Sequence, residues 1–494
     1  MNLSDEVFAW LRGQAEAEIE TSCARVFLLP GRALKLKKPV DFGFLDFTTL
    51  EKRRWALERE LAFNRVTAPD IYRRLVRVTR NGAGFALGGR GRAVDLALEM
   101  RRFDPDDVLA EHPERVDGDL AEALGRTIAR FHAGAEVRPE GGGVKALGYT
   151  IRTNAEHLRQ LADRLGAAEV EAVVAATDEA FAAAGPLLER RRDEGFARHC
   201  HGDLHLANIL VEDDGAPKLF DCIEFNDLLS EIDVLYDLAF LVMDLWFRDA
   251  GAAANRALNA YLDEAARSFP PALWDGLAAL PVMLSARASV RAHVGAYQGE
   301  TAAARAYLAA ARAHLAPAPA RLVAVGGLSG SGKTTFARAL APLIGAAPGA
   351  VVLRSDEIRK RLAGVRPTDR LTPDAYAPGT SERVYGEMLA LARRALAGGR
   401  TVALDAVFLR LEERRAVQAL AAEMEVPFQG VWLQGRPEML TERLGERRGD
   451  ASDADARVLA EQLTRDPGPM DWRVTDATDP AAAARRIGAG RGAD

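Results

Sequence analysis

The segment Gly327-Leu328-Ser329-Gly330-Ser331-Gly332-Lys333-Thr334 places glycines, a lysine and a hydroxyl in the spacing GxxxxGK[ST]. Glycines at these steps let backbone N–H groups converge on phosphate oxygens, and a helix that starts there adds partial positive charge. The lysine can reach the terminal phosphates of a nucleotide, and the hydroxyl that follows can ligate Mg2+. The motif needs a strand before it and a helix after it. The apolar run Leu322-Val323-Ala324-Val325 predicts the strand, and a helical pattern follows. Gly327, Ser329, Gly330, Ser331, Gly332, Lys333, Thr334 and Thr335 are therefore the expected phosphate contacts, with Thr334 also a metal ligand.

A second constellation is His201-Gly202-Asp203-Leu204-His205-Leu206-Ala207-Asn208-Ile209-Leu210, followed by Leu219-Phe220-Asp221-Cys222-Ile223-Glu224-Phe225. His199, Cys200, His201 and His205 could be read as a metal cluster. Their spacing is poor for structural zinc, and no second ligand pair appears. His201 and His205 are read as hydrogen-bonded scaffold residues. The lysines add a third hint, for the chain has 8 Lys against 57 Arg. Where arginine has replaced lysine wherever only charge matters, the lysines left mark places that need an ammonium. Lys35, Lys37 and Lys38 cluster, and Lys333 stands in the glycine-rich motif.

The chain that must position these groups has 494 residues, 48% hydrophobic and 28% charged. That composition suits a folded protein of about two to four domains. The net charge of −6 offers no basic field for nucleic acid, which is disfavoured as a partner. Three cysteines without a CxxC pair predict a reducing, cytoplasmic setting. The early acidic pair Asp5-Glu6 does not suit a secretory signal. The most apolar stretch, Tyr236 to Phe247, is interrupted by Asp237 and Asp244, so no membrane span is expected.

The alternating Leu315-Ala316-Pro317-Ala318-Pro319-Ala320 reads as a semi-rigid spacer. It predicts a first domain over 1–316, a linker at 317–320 and a second domain over 321–494. In the first domain, Arg25 to Leu29 and Arg32 to Lys37 flank Pro30-Gly31 as a hairpin, with a helix over Leu50 to Val66 and strands at 71–78 and 93–100. From Asp119 the chain turns helical, with helices expected at 153–192, 231–247, 252–268 and 272–314. A strand-rich lobe (about 1–100) and a helix-rich lobe (about 101–316) follow. After the spacer, strands at 321–326, 350–354, 401–405, 429–433 and 473–475 alternate with helices, which implies a parallel sheet. The tail from about Ile487 is expected to fray.

The second domain resembles P-loop small-molecule kinases of the gluconate kinase, shikimate kinase, zeta toxin and polynucleotide kinase group. Arg354-Ser355-Asp356-Glu357-Ile358-Arg359-Lys360 ends its second strand. The resemblance implies Asp356 as the base that receives the acceptor proton and Arg359 as an acceptor-binding group; the alternative is a helix cap with Arg359 in the first turn. Asp405, at a strand end, occupies the place of a metal-water ligand. Arg443-Leu444-Gly445-Glu446-Arg447-Arg448 resembles the mobile lid, which makes Arg447 catalytic and Arg443 and Arg448 substrate-binding.

The first domain resembles the aminoglycoside phosphotransferase family, which has the protein-kinase-like fold, because HGDxHxxNxL is matched at every fixed position. The resemblance implies Asp203 as base and Asn208 and Asp221 as metal ligands. It also implies a strand lysine paired to a helix glutamate, Glu60. Lys35 and Lys37 share a strand face, so alternation cannot choose between them, and Lys35 fits the pattern by eye. Glu99 and Met100 would form the hinge whose backbone meets adenine. Asp237 would brace the loop. No GxGxxG precedes the lysine, unlike in protein kinases.

The whole chain resembles bacterial fusions of these two kinds of domain, with Lys37-Lys38-Pro39-Val40-Asp41-Phe42-Gly43-Phe44-Leu45-Asp46-Phe47 as a signature. The implied fold is an α+β two-lobed kinase-like domain followed by an α/β P-loop domain. The implied activity is ATP- and Mg2+-dependent phosphotransfer to small hydroxylated acceptors, at two sites that each side of the spacer could complete alone. The alternatives are one catalytic domain with a nucleotide-binding regulatory module, or a polynucleotide end kinase.

Overall fold

A computed structural model describes residues 3–43, 45–82, 84–446 and 451–489. The chain folds into two compact units. The smaller holds Met1–Arg115, Gly134–Thr150 and Arg192–Leu241; the larger holds Val116–Ala133, Ile151–Arg191 and Val242–Asp494. The larger unit thus includes chain from both sides of the Ala/Pro spacer.

The smaller unit is built on an antiparallel sheet. Its strands are β1 (Ala17–Glu20), β2 (Ala24–Leu29), β3 (Arg32–Lys37), β4 (Tyr72–Asn81), β5 (Gly84–Leu87) and β6 (Arg92–Arg101), in the order β1-β2-β3-β6-β4-β5. The hairpin expected at Pro30-Gly31 joins β2 to β3, with Val26 opposite Lys35. Period-two alternation covers both faces of β3. Leu34 and Leu36 pack with Phe27, Val78 and Ala97 against Val7, Phe8 and Leu11 of helix Leu3–Arg12. Ala33 faces Leu57 and Leu98 on the other side. There helix Leu50–Thr67, capped by the Thr49 side chain on the Lys52 N–H, buries Leu57, Glu60 and Asn64. Four short strands follow, β7 (Ala197–His199), β8 (Ile209–Val211), β9 (Pro217–Leu219) and β10 (Glu231–Asp233). They pair antiparallel as β7–β10 and β8–β9, and the connections between them carry the histidine–aspartate motifs.

The larger unit contains five parallel strands, β11 (Leu322–Gly327), β12 (Val351–Arg354), β13 (Val402–Asp405), β14 (Phe428–Gln434) and β15 (Arg473–Asp476). Their order is β12-β13-β11-β14-β15, every pair parallel. Near-continuous apolar strands suit a sheet covered on both faces; Val323, Val325, Ala403, Val431 and Leu433 are fully or almost fully buried with Phe336 and Leu340. The outer strand β12 is not left as a bare edge. Asn259 accepts the Val352 N–H at 2.7 Å and donates to the Ala350 carbonyl at 3.2 Å, and Asn255 donates to Pro348 and Ala350 at 3.0 and 2.9 Å. Both asparagines lie on helix Gly251–Ala265. That helix crosses Gly118–Gly134 so closely that a Cβ on Gly125 would sit 2.2 Å from the Ala257 carbonyl oxygen.

The expected helix over 153–192 is broken into the end of Gly143–Gln160, then Ala162–Leu165 and Ala167–Asp193. The one expected over 272–314 is a 3-10 stretch, Pro271–Ala279, and two helices, Leu280–Tyr297 and Thr301–His314. Gly166 and Gly299, both at positive φ, lie at two of these breaks. Of the tail expected to fray from about Ile487, residues 487–489 close helix Pro480–Ala489, and 490–494 lie outside the described residues. Among the described residues, no helix is long and apolar enough to cross a membrane.

Candidate active sites

In the smaller unit, one carboxylate organises a buried charge cluster. Glu60, fully buried, takes Lys35 Nζ on Oε1 and Lys37 Nζ on Oε2, each at 2.7 Å. Lys35 continues to Asp221 Oδ1 at 2.5 Å, and Lys37 to Glu224 Oε1 at 2.6 Å. Burial alone would raise the Glu60 carboxyl; the two ammonium groups outweigh it and hold it at about 2. Both lysines pair with the glutamate, but only Lys35 reaches the expected metal ligand. Asp221 sits at φ 62, and its N–H donates to the Tyr72 hydroxyl at 3.0 Å. The next N–H, of Cys222, donates to Asn64 Oδ1 at 3.0 Å. Helix Leu50–Thr67 therefore fixes this turn directly by Asn64 and, one helical turn earlier, by Glu60 through the two lysines.

The catalytic-loop candidates meet the same turn. Asn208 Nδ2 donates to the Asp203 carbonyl at 2.8 Å and to Asp203 Oδ2 at 2.9 Å, so the amide donor side is spent on Asp203. His205 Nε2 lies 3.4 Å from the same carboxylate. His201, fully buried, bonds the Phe220 carbonyl through Nε2 at 2.9 Å and accepts the Asp203 N–H on Nδ1 at 3.3 Å. Burial lowers its pKa, which favours the neutral ring that this pairing requires. Asp237 accepts the His201 and Gly202 N–H groups at 3.0 and 2.8 Å. Gly202 has φ 85, and a Cβ there would lie 2.7 Å from the Leu229 carbonyl oxygen.

In the larger unit, β11 delivers the glycine-rich loop to helix Lys333–Leu340. Gly330 has φ 83, and a Cβ on it would sit 2.5 Å from the Leu440 carbonyl oxygen. Thr334 Oγ1 donates to Asp405 Oδ2 at 2.6 Å, Lys333 Nζ donates to the Leu328 carbonyl at 3.1 Å, and the Ser329 N–H donates to Gln462 Oε1 at 2.8 Å. Ser331 is buried within the loop, and Gly332 caps the helix at φ 80. Gly327 ends β11 at φ 142, where a Cβ would meet the Leu433 carbonyl oxygen at 2.6 Å.

Lys333, Thr334, Thr335, Asp356 and Asp405 line one cavity of about 1500 Å3. Burial lifts the Asp356 carboxyl above the usual aspartate range, against the pull of Arg354 and Lys333. Arg359 lines the cavity, donates to the Ala375 carbonyl at 2.6 Å and lies over the Tyr376 ring at 4.8 Å. Arg443 also lines it, but its guanidinium donates to the Ala477 and Thr478 carbonyls at 2.7 and 2.8 Å. Arg447 and Arg448 lie outside the described residues.

The candidate ligand atoms are all oxygens: the Asn208 amide and Asp221 carboxylate in one unit, the Thr334 hydroxyl and Asp405 carboxylate in the other. That donor set fits Mg2+ and not a thiolate- or imidazole-preferring metal. Glu99 and Met100 stand inside β6, opposite Leu34 and Ala33 of β3 and Arg74 and Tyr72 of β4. The first backbone beyond that ladder begins at Arg102, after the pair Arg32–Arg101.

Several groups in these sites escape sequence reasoning. Glu224, the Lys37 partner, stands three residues after Asp221 and had only that proximity as a signal. Arg354, next to the Ser355-Asp356 motif, donates to Thr334 Oγ1 at 3.2 Å, to Asp405 Oδ2 at 3.4 Å and to Glu357 Oε1 at 2.8 Å. Lys360, buried, takes both oxygens of Asp453 at 2.7 and 2.8 Å. Glu122, Arg126, Arg130 and Glu264, from before the Ala/Pro spacer, line the cavity around Lys333. No local pattern announces them, and they bring chain from before the spacer to the wall of that cavity.

Residues 51–280 match the Phosphotransferase enzyme family and residues 322–467 match the AAA domain family. An uncharacterized protein of Mycobacterium tuberculosis, Rv2004c, is 31% identical over 479 residues, covering 94% of this chain and 93% of its own. Mb2027c of Mycobacterium bovis, also uncharacterized, matches to the same extent. The chain belongs to their family. It joins a phosphotransferase domain of α+β kinase-like fold to an α/β P-loop kinase domain with a parallel sheet. Among solved structures, a sugar kinase from Janibacter sp. is 26% identical over 34% of this chain and 92% of its own, with a TM-score of 0.25. A spectinomycin phosphotransferase in complex with ADP and spectinomycin is 11% identical over 63% of this chain and 98% of its own, with a TM-score of 0.38.

Proposed function

We propose that this phosphotransferase works at two centres, each moving the terminal phosphate of ATP to a hydroxyl group of a small acceptor. The observation that carries the reading is the cavity of about 1500 Å3 onto which Lys333, Thr334, Asp405 and Asp356 all face. Ordinary ligand pockets run to about 300–1,000 Å3, so this one has room for a nucleotide and an acceptor together. The loop N–H groups and Lys333 hold the phosphates, while Asp356 takes the proton of the attacking hydroxyl. Thr334 and Asp405 would hold Mg2+, which when bound neutralises charge on the transferring group. Arg359 and Tyr376 bound the acceptor end.

In the smaller unit the corresponding parts are Lys35 for the phosphates, Asp203 for the hydroxyl proton, and Asn208 and Asp221 for Mg2+. The Asn208 amide aims the Asp203 carboxylate, and the Lys35–Glu60 pair fixes the lysine, so little has to reorganise during transfer. Two complete sets support two catalytic centres over one centre paired with a regulatory module. The charge of −6 weighs against a polynucleotide acceptor.

Titration calorimetry with a non-hydrolysable ATP analogue tests this on the intact chain. The expected stoichiometry is about two, falling to about one after Lys333→Ala and to about one after Asp221→Ala. One nucleotide per intact chain, lost with either substitution, would mean a single composite site. ATP consumption across a library of hydroxylated metabolites then identifies the acceptors.

A further inference from the structure

We infer that Arg126 is a positioning residue of the P-loop centre, acting through Glu357 and Arg354 on Thr334 and Asp405. The inference rests on the proposed nucleotide site of the larger unit. It assigns a role to a residue that lies outside the AAA domain match at 322–467.

The path is short and buried. Arg354 is the last residue of β12. It touches both candidate metal ligands, Thr334 Oγ1 at 3.2 Å and Asp405 Oδ2 at 3.4 Å. Its Nη1 is drawn the other way, to Glu357 Oε1 at 2.8 Å. The same Glu357 oxygen lies 3.7 Å from Arg126 Nη2. Arg126 also holds Glu122 at 2.9 Å, Asp263 at 3.1 Å and Glu264 at 3.3 Å. One guanidinium thus faces four carboxylates. The cations that share them are Arg256 and Arg338 on Glu122, Arg354 and, at 4.0 Å, Arg338 on Glu357, Arg361 on Asp263, and Arg130 and Arg267 on Glu264.

The charges explain why the distant arginine matters. A guanidinium beside Asp405 orients it, but the same group competes with a divalent cation for the carboxylate. Where Arg354 rests between Glu357 and Asp405 therefore sets how freely Asp405 can receive the cation. Arg126 offsets part of the Glu357 charge. Without it, Glu357 draws Arg354 off Thr334 and Asp405, which lose their orienting contact; without Glu357, Arg354 settles on Asp405 and competes with the cation, so either change lowers the affinity for Mg2+. Rigid elements hold Arg126 at its post, since Gly125 lies against the Ala257 carbonyl and Asn255 and Asn259 clip the same helix to β12. Partners around metal ligands typically change affinity or activity by about 10–100-fold when removed. A residue one step further out should act at the low end of that range.

The test uses the intact chain carrying Asp221→Ala, so that only the P-loop centre binds the analogue. Affinity for a non-hydrolysable ATP analogue is measured with Mg2+ and with EDTA. Arg126→Met should leave the EDTA value unchanged and cut the Mg2+-dependent gain by about 10-fold. Arg126→Lys should restore part of it. Glu357→Gln, a smaller change that spares the fold if Arg126→Met does not, should cut the same gain. The Arg126→Met/Glu357→Gln pair should lose less than the product of the single effects. Equal loss with and without Mg2+, or no loss in either variant, overturns the inference alone. No analogue binding before any Arg126 or Glu357 change overturns the P-loop reading and the inference with it.

Discussion

The two proposed centres would solve one electrostatic problem in different ways. In the smaller unit, positive charge would be brought to the proposed phosphate position by side chains. Lys35 and Lys37 share the two oxygens of a fully buried Glu60 and pass on to Asp221 and Glu224. In the larger unit, the backbone does most of that work. The loop between β11 and helix Lys333–Leu340 presents N–H groups because Gly327, Gly330 and Gly332 adopt positive φ. The first design depends on compensation between buried charges, and the second on the absence of side chains at three steps. They should fail differently when altered.

The largest effect is expected from Glu60→Gln. It leaves two buried ammonium groups without their shared carboxylate, and breaking a buried pair costs about 3–5 kcal/mol. Denaturant unfolding of the intact chain should show an early transition, while analogue binding at the P-loop centre persists. A shift below about 1 kcal/mol would mean that Glu224 and Asp221 compensate fully.

Next comes Gly330→Ala. Positive φ costs a non-glycine residue about 1–2 kcal/mol, and the new Cβ would also strike the Leu440 carbonyl, 2.5 Å away. Nucleotide affinity of the P-loop centre should fall by at least about 10-fold, with the smaller unit's site unaffected. Unchanged affinity would show that the loop is not the phosphate cradle.

The smallest effects are in pH. Glu60 is held at about 2, below its ordinary 4.5, so its stabilising contribution is complete above 4.5 and is lost as pH falls from there toward 2. Asp356 is shifted the other way, by burial. Below its raised pKa it carries a proton and cannot accept another. As pH is lowered, turnover at the P-loop centre should therefore be lost before pH 3.8, the ordinary aspartate value, is reached. A pH–rate profile in the Asp221→Ala chain checks this, and a midpoint below 3.8 would remove Asp356 as the base.

Legibility followed the range of the interactions. The glycine-rich loop is made of consecutive residues whose own backbone would contact phosphate, so spacing alone was enough to propose it. The five parallel strands were readable because each is a short apolar run between helical patterns. The lysine-poor, arginine-rich composition pointed the same way: Lys35, Lys37 and Lys333 all stand in the two candidate sites, and Lys360 grips Asp453 beside the larger one. The same abundance of arginine hid Arg126 and Arg354, since neither differs in type from dozens of surface charges.

The amino-acid order by itself determined the two candidate phosphate-handling motifs, the hairpin that carries the lysines and the alternation that turns Lys35 and Lys37 to one face. It could not choose between them, because both satisfy the same period of two. What separates them is the partner each meets at 2.5 and 2.6 Å, Asp221 for Lys35 and Glu224 for Lys37, on a turn about 187 residues away, and that difference supports Lys35 in the proposed role. Tertiary structure likewise decided that the wall of the P-loop cavity includes helix Gly118–Gly134. Packing of Gly125 on Ala257 and the asparagine clip on β12 set that contact. Local motifs are written in adjacent residues; charge networks depend on distance in space, which only the folded chain supplies.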